Sequence, residues 1–343
     1  MEIKTVGIDI GKTWFHLVAC NKAGNPLVRH KLNRSKLAQF IANLPPCLIG
    51  MEACPGSQHL ARAFQKHGHE VRLIAPKFIK PYLKSHKTDF NDAAAIAEAV
   101  TRPTMRFVTV KSNEQLDMQA IHRVRDRLIG ERTAVINQIR AFLLEYGLPV
   151  REGRASIAKA LPVLLDDAAN GLSDRIRQLL AQLREHWSAI DAQIAQYTQE
   201  VQLAARQSDD CQRLVGIPGI GPLGATALIA AVGNGAMFRK GRELSAWLGL
   251  VPKQHSTGGK PKLLGIGKRG NSYVRRLLIH GARSLVKHLH RQNHELGAWM
   301  NNLQKRAHRN VLVVAVANKI ARIAWAVLNR HDVYRPSAAA ASV

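Results

Sequence analysis

Ile3-Lys4-Thr5-Val6-Gly7-Ile8-Asp9-Ile10-Gly11-Lys12-Thr13-Trp14-Phe15-His16-Leu17-Val18-Ala19-Cys20 contains two apolar runs rich in β-branched residues, 3–10 and 14–20, split by Gly11-Lys12. Runs of this length broken by a glycine turn predict two strands that pair antiparallel. Residues 26–32 extend the same arrangement with a third strand. Further out, the pattern changes to helix at 35–44, strand at 47–51, helix at 58–67 and strand at 70–74, an alternation that predicts a parallel α/β sheet. The expected first domain, residues 1–112, is therefore an α/β sheet with an antiparallel opening.

From about residue 113 the periodicity is helical. Ile121, Val124, Leu128, Val135, Ile139 and Phe142 recur on one face, with arginines on the others. Ile176, Leu180, Leu183, Trp187, Ile190, Ile194, Tyr197 and Val201 follow alternating steps of four and three, the heptad seam of a coiled coil. Such a seam serves either a hairpin between the two long helices or a joint between subunits, and the sequence leaves both open. Residues 149–172 between the helices are less regular. The expected divisions are a helical coiled-coil or oligomerisation region at 113–206, a mainly α C-terminal domain at 207–332, and a flexible Ala/Ser-rich tail at 333–343.

The 343-residue chain has 46% hydrophobic residues, enough for real cores, and carries 50 Lys and Arg against 24 Asp and Glu, for a net +26. That imbalance exceeds what solubility needs and points to a polyanion, with nucleic acid the first choice. Residues 253–330 hold sixteen Lys or Arg and one acid, Glu295, so binding there is expected to depend steeply on salt. No apolar run reaches the length of a spanning helix and no basic leader precedes an apolar segment, so a cytoplasmic protein without a membrane is expected. Cys20, Cys47, Cys54 and Cys211 lack a C-x-x-C spacing and read as reduced core residues.

Asp9 sits among apolar strand residues, where an unpaired carboxylate is costly. Glu52 closes a second apolar strand, at the sheet end where ligands are held. Asp89 and Asp92, three residues apart, share one helix face; Thr88 or Asp89 is also a natural cap for that helix. Four convergent carboxylates would suit Mg2+ or Mn2+, and a pair of such ions suits phosphodiester cleavage or strand transfer. Gly11-Lys12-Thr13 imitates a phosphate loop but the spacing is one residue short. Actin-like ATPases and sugar kinases, which have a similar Gly-x-Asp-x-Gly turn, supply a phosphotransferase alternative, and a non-catalytic nucleic-acid-binding protein is a third reading.

Gly216-Ile217-Pro218-Gly219-Ile220-Gly221-Pro222, followed by an apolar helix, reads as a helix-hairpin-helix in which Gly219 and Gly221 bring backbone N–H groups to a phosphate, or as an ordinary glycine-capped hairpin. Gln254-His255-Ser256-Thr257-Gly258-Gly259-Lys260 and Gly265-Ile266-Gly267-Lys268-Arg269-Gly270-Asn271 read either as a flexible linker or as a loop offering a hydroxyl nucleophile among cations. Lys260, Lys262, Lys268, Arg269, Arg275 and Arg276 are the candidate DNA- or RNA-binding cations. His288, His290 and His294 lack the cysteines or carboxylates of a zinc site and read as surface or phosphate-contacting residues.

Together, the segments around Asp9, Glu52, Asp89 and Asp92, the Ile217–Pro222 hairpin and the His255–Asn271 loop resemble the DEDD-type insertion-sequence transposases, the bridge-RNA-guided recombinases, over residues 3–330. The resemblance implies an RNase H-like (RuvC-like) N-terminal domain similar to the Holliday-junction resolvases, a central coiled coil, and a C-terminal transposase domain. It implies that Asp9, Glu52, Asp89 and Asp92 are metal ligands and that Ser256 is the nucleophile, with Thr257 as the alternative. It further implies DNA as substrate, a structured guide RNA as partner, and a homo-oligomer, dimer or tetramer.

Overall fold

In a computed structural model of the chain, residues 2–84, 86, 88–289 and 295–336 are described, and the chain divides into two compact units at Ser112/Asn113. The first unit holds a six-stranded sheet in the order β3-β2-β1-β4-β5-β6. Its strands are β1 (Thr5–Ile10), β2 (Trp14–Cys20), β3 (Pro26–Asn33), β4 (Leu48–Glu52), β5 (Glu70–Ile74) and the short β6 (Phe107–Val108). β1, β2 and β3 pair antiparallel, β4 joins β1 parallel, β5 joins β4 parallel, and β6 closes the edge antiparallel. This is an RNase H-like sheet.

Alternation along the strands divides the two faces. Val6, Ile8, Phe15, Leu17, Ile49, Met51 and Leu73 form a core with Leu37 and Ile41 of α1 (Arg34–Ala42) and Leu60 and Phe64 of α2 (Ser57–Lys66). Past β5, α3 (Pro76–Ile79) and a 3-10 turn (Lys80–Tyr82) lead to α4 (Asp89–Ala99), which covers the opposite face. α4 approaches the sheet closely: a Cβ on Gly7 would lie 2.2 Å from the Ala93 carbonyl oxygen and 2.4 Å from the Ala97 nitrogen. Gly50 stands beside Gly7 in the parallel β1–β4 register, and a Cβ there would meet Val100 at 2.8 Å. Gly7 thus lets strand backbone approach the backbone of α4 at Ala93 and Ala97, and Gly50 makes room for the Val100 and Ile96 side chains.

The second unit begins with α5 (Asn113–Glu145) and α7 (Asp174–Gln207), with α6 (Arg154–Asp166) in the stretch whose sequence pattern is irregular. Arg125 Nε donates to Thr198 Oγ1 at 2.8 Å, and Arg132 Nη1 to Asp191 Oδ1 at 2.8 Å. As one helix number rises the other falls, so the two helices run antiparallel. Leu180, Trp187, Ile190 and Ile194 of the heptad seam are buried with Leu128, Val135, Ile136 and Ile139 of α5. Of the two uses left open for the seam, the chain makes the hairpin.

The remaining elements are α8 (Asp209–Val215), α9 (Pro222–Val232), α10 (Gly241–Trp247), the pair β7 (Pro252–Thr257) and β8 (Lys260–Ile266), α11 (Ser272–Lys287), α12 (Glu295–Gln304) and α13 (Arg309–Arg330). They enclose a second core, with Leu312, Val316, Ile320, Ala324 and Leu328 of α13 at its centre. By length and composition α13 could cross a membrane, although charged residues interrupt its apolar run. Its apolar side packs instead on α8, α10, α11 and α12. The segment expected to be a loop or linker at 253–270 contains a β-hairpin. Thr257 pairs with Lys260, and Gly258 and Gly259 between them both have positive φ, +56° and +74°. Two such residues make the tight turn whose twist matches paired strands. Residues 337–343 of the expected tail lie outside the described residues.

Candidate functional site

The β1–β2 register sets Asp9 opposite His16. Asp89 is the first residue of α4, and its Oδ2 lies 3.3 Å from His16 Nδ1. One ligand atom from each of Asp9, His16 and Asp89 can be chosen so that all lie within 4.8 Å of one another. Glu52 ends β4, the strand beside β1, and Asp92 lies in the first turn of α4. Thr88 caps α4, accepting from the Asn91 N–H at 3.2 Å, so capping falls to the threonine and the Asp89 side chain turns to His16. Phe90 sets its ring edge-on to His16 at 4.9 Å between centroids, fixing the imidazole further.

Asp9 feels this crowding. Burial pushes its carboxyl above the usual range, and the charges of Asp92, Asp89 and Glu52 push the same way, against a smaller opposing effect of His16. Like charges gathered around a half-buried carboxylate are relieved by a proton or by a cation. Oxygen donors with one imidazole fit a hard divalent ion such as Mg2+ or Mn2+. His16 was absent from the sequence reading. The Asp9–His16 pairing centres on Lys12-Thr13, one residue beyond the Gly11-Lys12 turn that the sequence suggests, so counting from that turn does not find it.

The other expected residues belong to the second unit. Ser256 lies on β7, exposed, and accepts from Gln254 Nε2 at 2.8 Å. Thr257 follows on the same strand, so the two hydroxyls project to opposite faces of the hairpin. Lys260 and Lys262 are exposed on β8, opposite Thr257 and His255. Lys268 has φ +53°, and its N–H donates to the Gly249 carbonyl at 3.1 Å. The glycines near it are used for packing: a Cβ on Gly270 would fall 1.7 Å from the Trp247 carbonyl oxygen. Arg275 Nη1 donates to the carbonyls of Leu248 and Arg269, both at 2.9 Å. Arg276 pairs with the Asp126 carboxylate and lies over the Tyr273 ring at 5.2 Å.

The turn between α8 and α9 carries Gly219 at φ +89°, where a Cβ would press on Leu285 at 2.9 Å and Ile320 at 3.0 Å. Gly221 precedes Pro222 at the start of α9, with open space where a Cβ would stand. His288 borders a basic cavity, while His290 and His294 lie outside the described residues. Cys20, Cys47 and Cys211 are buried thiols and Cys54 is partly buried; burial pushes Cys47 up to about 11. Sequence reading also missed a buried histidine, His122, held 2.9 Å from Thr226 Oγ1 and 2.9 Å from the Tyr273 hydroxyl.

Known proteins resemble this chain along most of its length. A family model described as Transposase matches residues 6–148, and one described as Transposase IS116/IS110/IS902 family matches residues 211–297. A probable family 20 transposase of Pseudomonas aeruginosa is 43% identical over 337 residues, covering 98% of this chain and 100% of its own. The transposase for insertion sequence element IS1328 of Yersinia enterocolitica is 42% identical, covering 97% of this chain and 99% of its own. The transposase for insertion sequence element IS1111A of Coxiella burnetii is 43% identical, covering 97% and 92%.

Proposed function

Since the chain belongs to the IS116/IS110/IS902 family of transposases, we propose that it recombines DNA with Asp9, Glu52, Asp89 and Asp92 holding divalent metal and Ser256 as the attacking hydroxyl. Transposase activity on DNA follows from membership, and the Asp9–His16–Asp89 cluster can hold a divalent metal. The observation that carries the metal assignment is the gathering of acidic groups around half-buried Asp9. His16 joins the proposed set as a nitrogen donor or as the group that orients Asp89. Mg2+ or Mn2+ there would supply Lewis acidity toward a phosphodiester oxygen. The phosphotransferase alternative is set aside by the family membership.

Ser256 Oγ attacks phosphorus, forming a serine–phosphate ester as the bond to the leaving sugar oxygen breaks, and the departing hydroxyl takes up a proton. The ester keeps the bond energy for rejoining, so strands are exchanged without net hydrolysis. His255, Lys260 and Lys262 lie on the same short hairpin, on the face that Thr257 shares, and cations within reach of the strand favour an approaching phosphate. Thr257, on the opposite face, is the alternative nucleophile. Gly219, Gly221, Lys268, Arg269, Arg275 and Arg276 are proposed to contact DNA or RNA.

A structured guide RNA, assembly as a dimer or tetramer, and action in the bacterial cytoplasm at the nucleoid complete the reading. So does a division into a catalytic domain at 1–112, a coiled coil at 113–206, a transposase domain at 207–332 and a tail at 333–343. The test incubates purified protein with its element-flanking DNA and transcribed non-coding RNA in Mg2+, comparing wild type with Asp9→Ala, Ser256→Ala and Thr257→Ala on denaturing gels. Product in the wild type, lost with Asp9→Ala and Ser256→Ala and kept with Thr257→Ala, is expected. Recombination that survives Ser256→Ala removes the nucleophile assignment; recombination that survives Asp9→Ala removes the metal site.

A further inference from the structure

Two cavities meet at the start of α13, and Asn310 lines both. The larger, about 1080 Å³, lies between α13, α10, α12 and the β7–β8 hairpin. Organic ligands fill pockets of about 300–1,000 Å³, so this one has room for at least a nucleotide. Its lining joins apolar Trp299, Trp325 and Leu250 with the cations Lys240, Arg242, Lys319 and Arg322. Lys319 Nζ stands 4.4 Å over the centre of the Trp299 ring, and Trp325 is fixed by its indole N–H, 3.2 Å from the Gly235 and Phe238 carbonyls. At the rim, Leu264 and Val311 leave apolar surface in water, 45% and 57% exposed.

The smaller cavity, about 470 Å³, is basic: Arg283, Lys287 and His288 face Arg309 across it, with Ser284 and Asn310 between. Arg309 and Asn310 form the first turn of α13, where the helix dipole adds to the positive field. Among the described residues, no acidic side chain lines either cavity. Lys240, Arg242, Arg283, Lys287, Arg309, Lys319 and Arg322 are not among the six cations named individually as nucleic-acid contacts, although the last five fall in the basic stretch 253–330.

A flat apolar slot with a cation over its tryptophan, adjoining a cluster of cations, matches one chemistry above others. A nucleobase has an apolar face that stacks on an aromatic ring, and its phosphates follow at a fixed short interval. A lipid chain would fit the slot but would leave its four cations without a partner, and an acidic peptide would fit the cations but leave the slot empty. We propose that the cavities around α13 form a binding site for unpaired nucleotides, with a base entering the Trp299 slot and neighbouring phosphates seated on Arg283, Lys287 and Arg309. Single-stranded DNA and single-stranded RNA share this chemistry. A duplex does not, because its bases are already stacked on each other. The site gives a recombinase a hold on strands that have been unpaired, separate from its grip on duplex.

The inference rests only on nucleic acid being the partner, and it is tested by binding without cleavage, so its failure would leave the transposase reading standing. The full chain in EDTA is titrated into fluorescein-labelled oligo-dT, oligo-U and a mixed-sequence duplex of equal length, and anisotropy is followed. Losing one stacked base is expected to weaken single-strand binding about tenfold in Trp299→Ala, with duplex binding changed less than twofold and Trp299→Phe restoring most of the loss. Lys319→Ala and Arg322→Ala, which leave the apolar core untouched, should weaken the same two probes. The double variant Arg283→Ala/Lys287→Ala should flatten the dependence of log affinity on log salt by about 0.7 per lost phosphate contact on the single strand. Oligo-dT carrying 5-iodouracil should crosslink on irradiation to the α12 peptide holding Trp299. Equal losses on single strand and duplex, crosslinks confined to other peptides, or displacement of the probe by polyglutamate as readily as by unlabelled oligo-dT would each overturn the proposal. Equal effects with oligo-dT and oligo-U would assign the site to either strand; an effect with one alone would assign it to that strand.

Discussion

Acidification should weaken the second unit through His122 on α5. The imidazole is 3% exposed and bridges Thr226 on α9 to Tyr273 on α11, so charging it would place a cation out of reach of water. Burial, with the nearby Arg125 acting the same way and Asp126 opposing, lowers its pKa from 6.5 to about 4; Arg276 beside Tyr273 adds another cation to the neighbourhood. A histidine depressed in the folded state binds protons more readily when unfolded. Its contribution is therefore fully present above pH 6.5 and is lost as pH falls toward about 4. Between pH 7.5 and pH 5, with pKa 6.5 unfolded and about 4 folded, that loss is about 2 kcal/mol, from 1.36 kcal/mol per pH unit over the roughly 1.5 units below 6.5. Urea unfolding followed by tryptophan fluorescence, whose signal in this unit comes from Trp187, Trp247, Trp299 and Trp325, compares wild type with His122→Gln at both pH values. The wild type should lose about 2 kcal/mol more than the variant. Equal losses, or a His122 ring that titrates near 6.5 in the folded protein by NMR, would refute the reasoning.

Gly7→Ala is expected to push α4 off the sheet, since its Cβ would stand 2.2 Å from the Ala93 carbonyl. It should cost more than about 2 kcal/mol in thermal unfolding and abolish Mn2+ binding measured by calorimetry, though it touches no ligand. Asp9→Asn should raise the melting temperature of the metal-free protein by relieving the repulsion around it, while ending the rise in melting temperature that Mg2+ gives the wild type; an unchanged metal response would count against the site. Gly258→Val, which forces a β-branched residue into φ +56° in a turn with open space around it, should cost strand-exchange activity while the melting temperature moves by no more than about 2–4 °C. A large fall in melting temperature would mean the hairpin is part of the core rather than an exposed finger.

The first unit was legible because its signals are local. The glycine turn at Gly11 fixed the opening pair, and the apolar runs fixed β4 and β5 to within a residue. The carboxylates stood out because a charge in an apolar strand is costly unless a partner compensates it. His16 did not, because a histidine in a strand is commonly a hydrogen-bonded core residue, and only the cross-strand register, a non-local fact, attaches it to Asp9. In the second unit the heptad showed that α7 buries a seam but not against what. That answer lies in α5, through pairs such as Arg132 and Asp191, 59 residues apart in sequence. The hairpin at Pro252–Ile266 was hidden by its exposure: both strands lie almost wholly in solvent, so neither carries the alternation that burial imposes. The glycines of the Gly267–Asn271 segment read as those of a flexible linker or a nucleophile-bearing loop, yet Gly270 is needed for contact with the Trp247 backbone.

Close packing through glycine also holds the proposed metal site. Four carboxylates and one imidazole do not assemble by mutual attraction, and the shift of Asp9 shows the assembly working against itself. Its geometry must come from elsewhere. On one side it comes from strand register, which sets His16 across from Asp9 and β4, with Glu52 at its end, beside β1. On the other it comes from the Gly7–Ala93 and Gly50–Val100 approaches, which fix α4 so closely that its first turn can only deliver Asp89 and Asp92 at that end of the sheet. Backbone packing is stiff where long side chains are not, so the ligands are pre-placed and the repulsion is stored rather than relaxed. A cation arriving there would find the cost of gathering its donors already met by folding, which is why a small residue seven positions into the chain should matter to metal affinity as much as a ligand does.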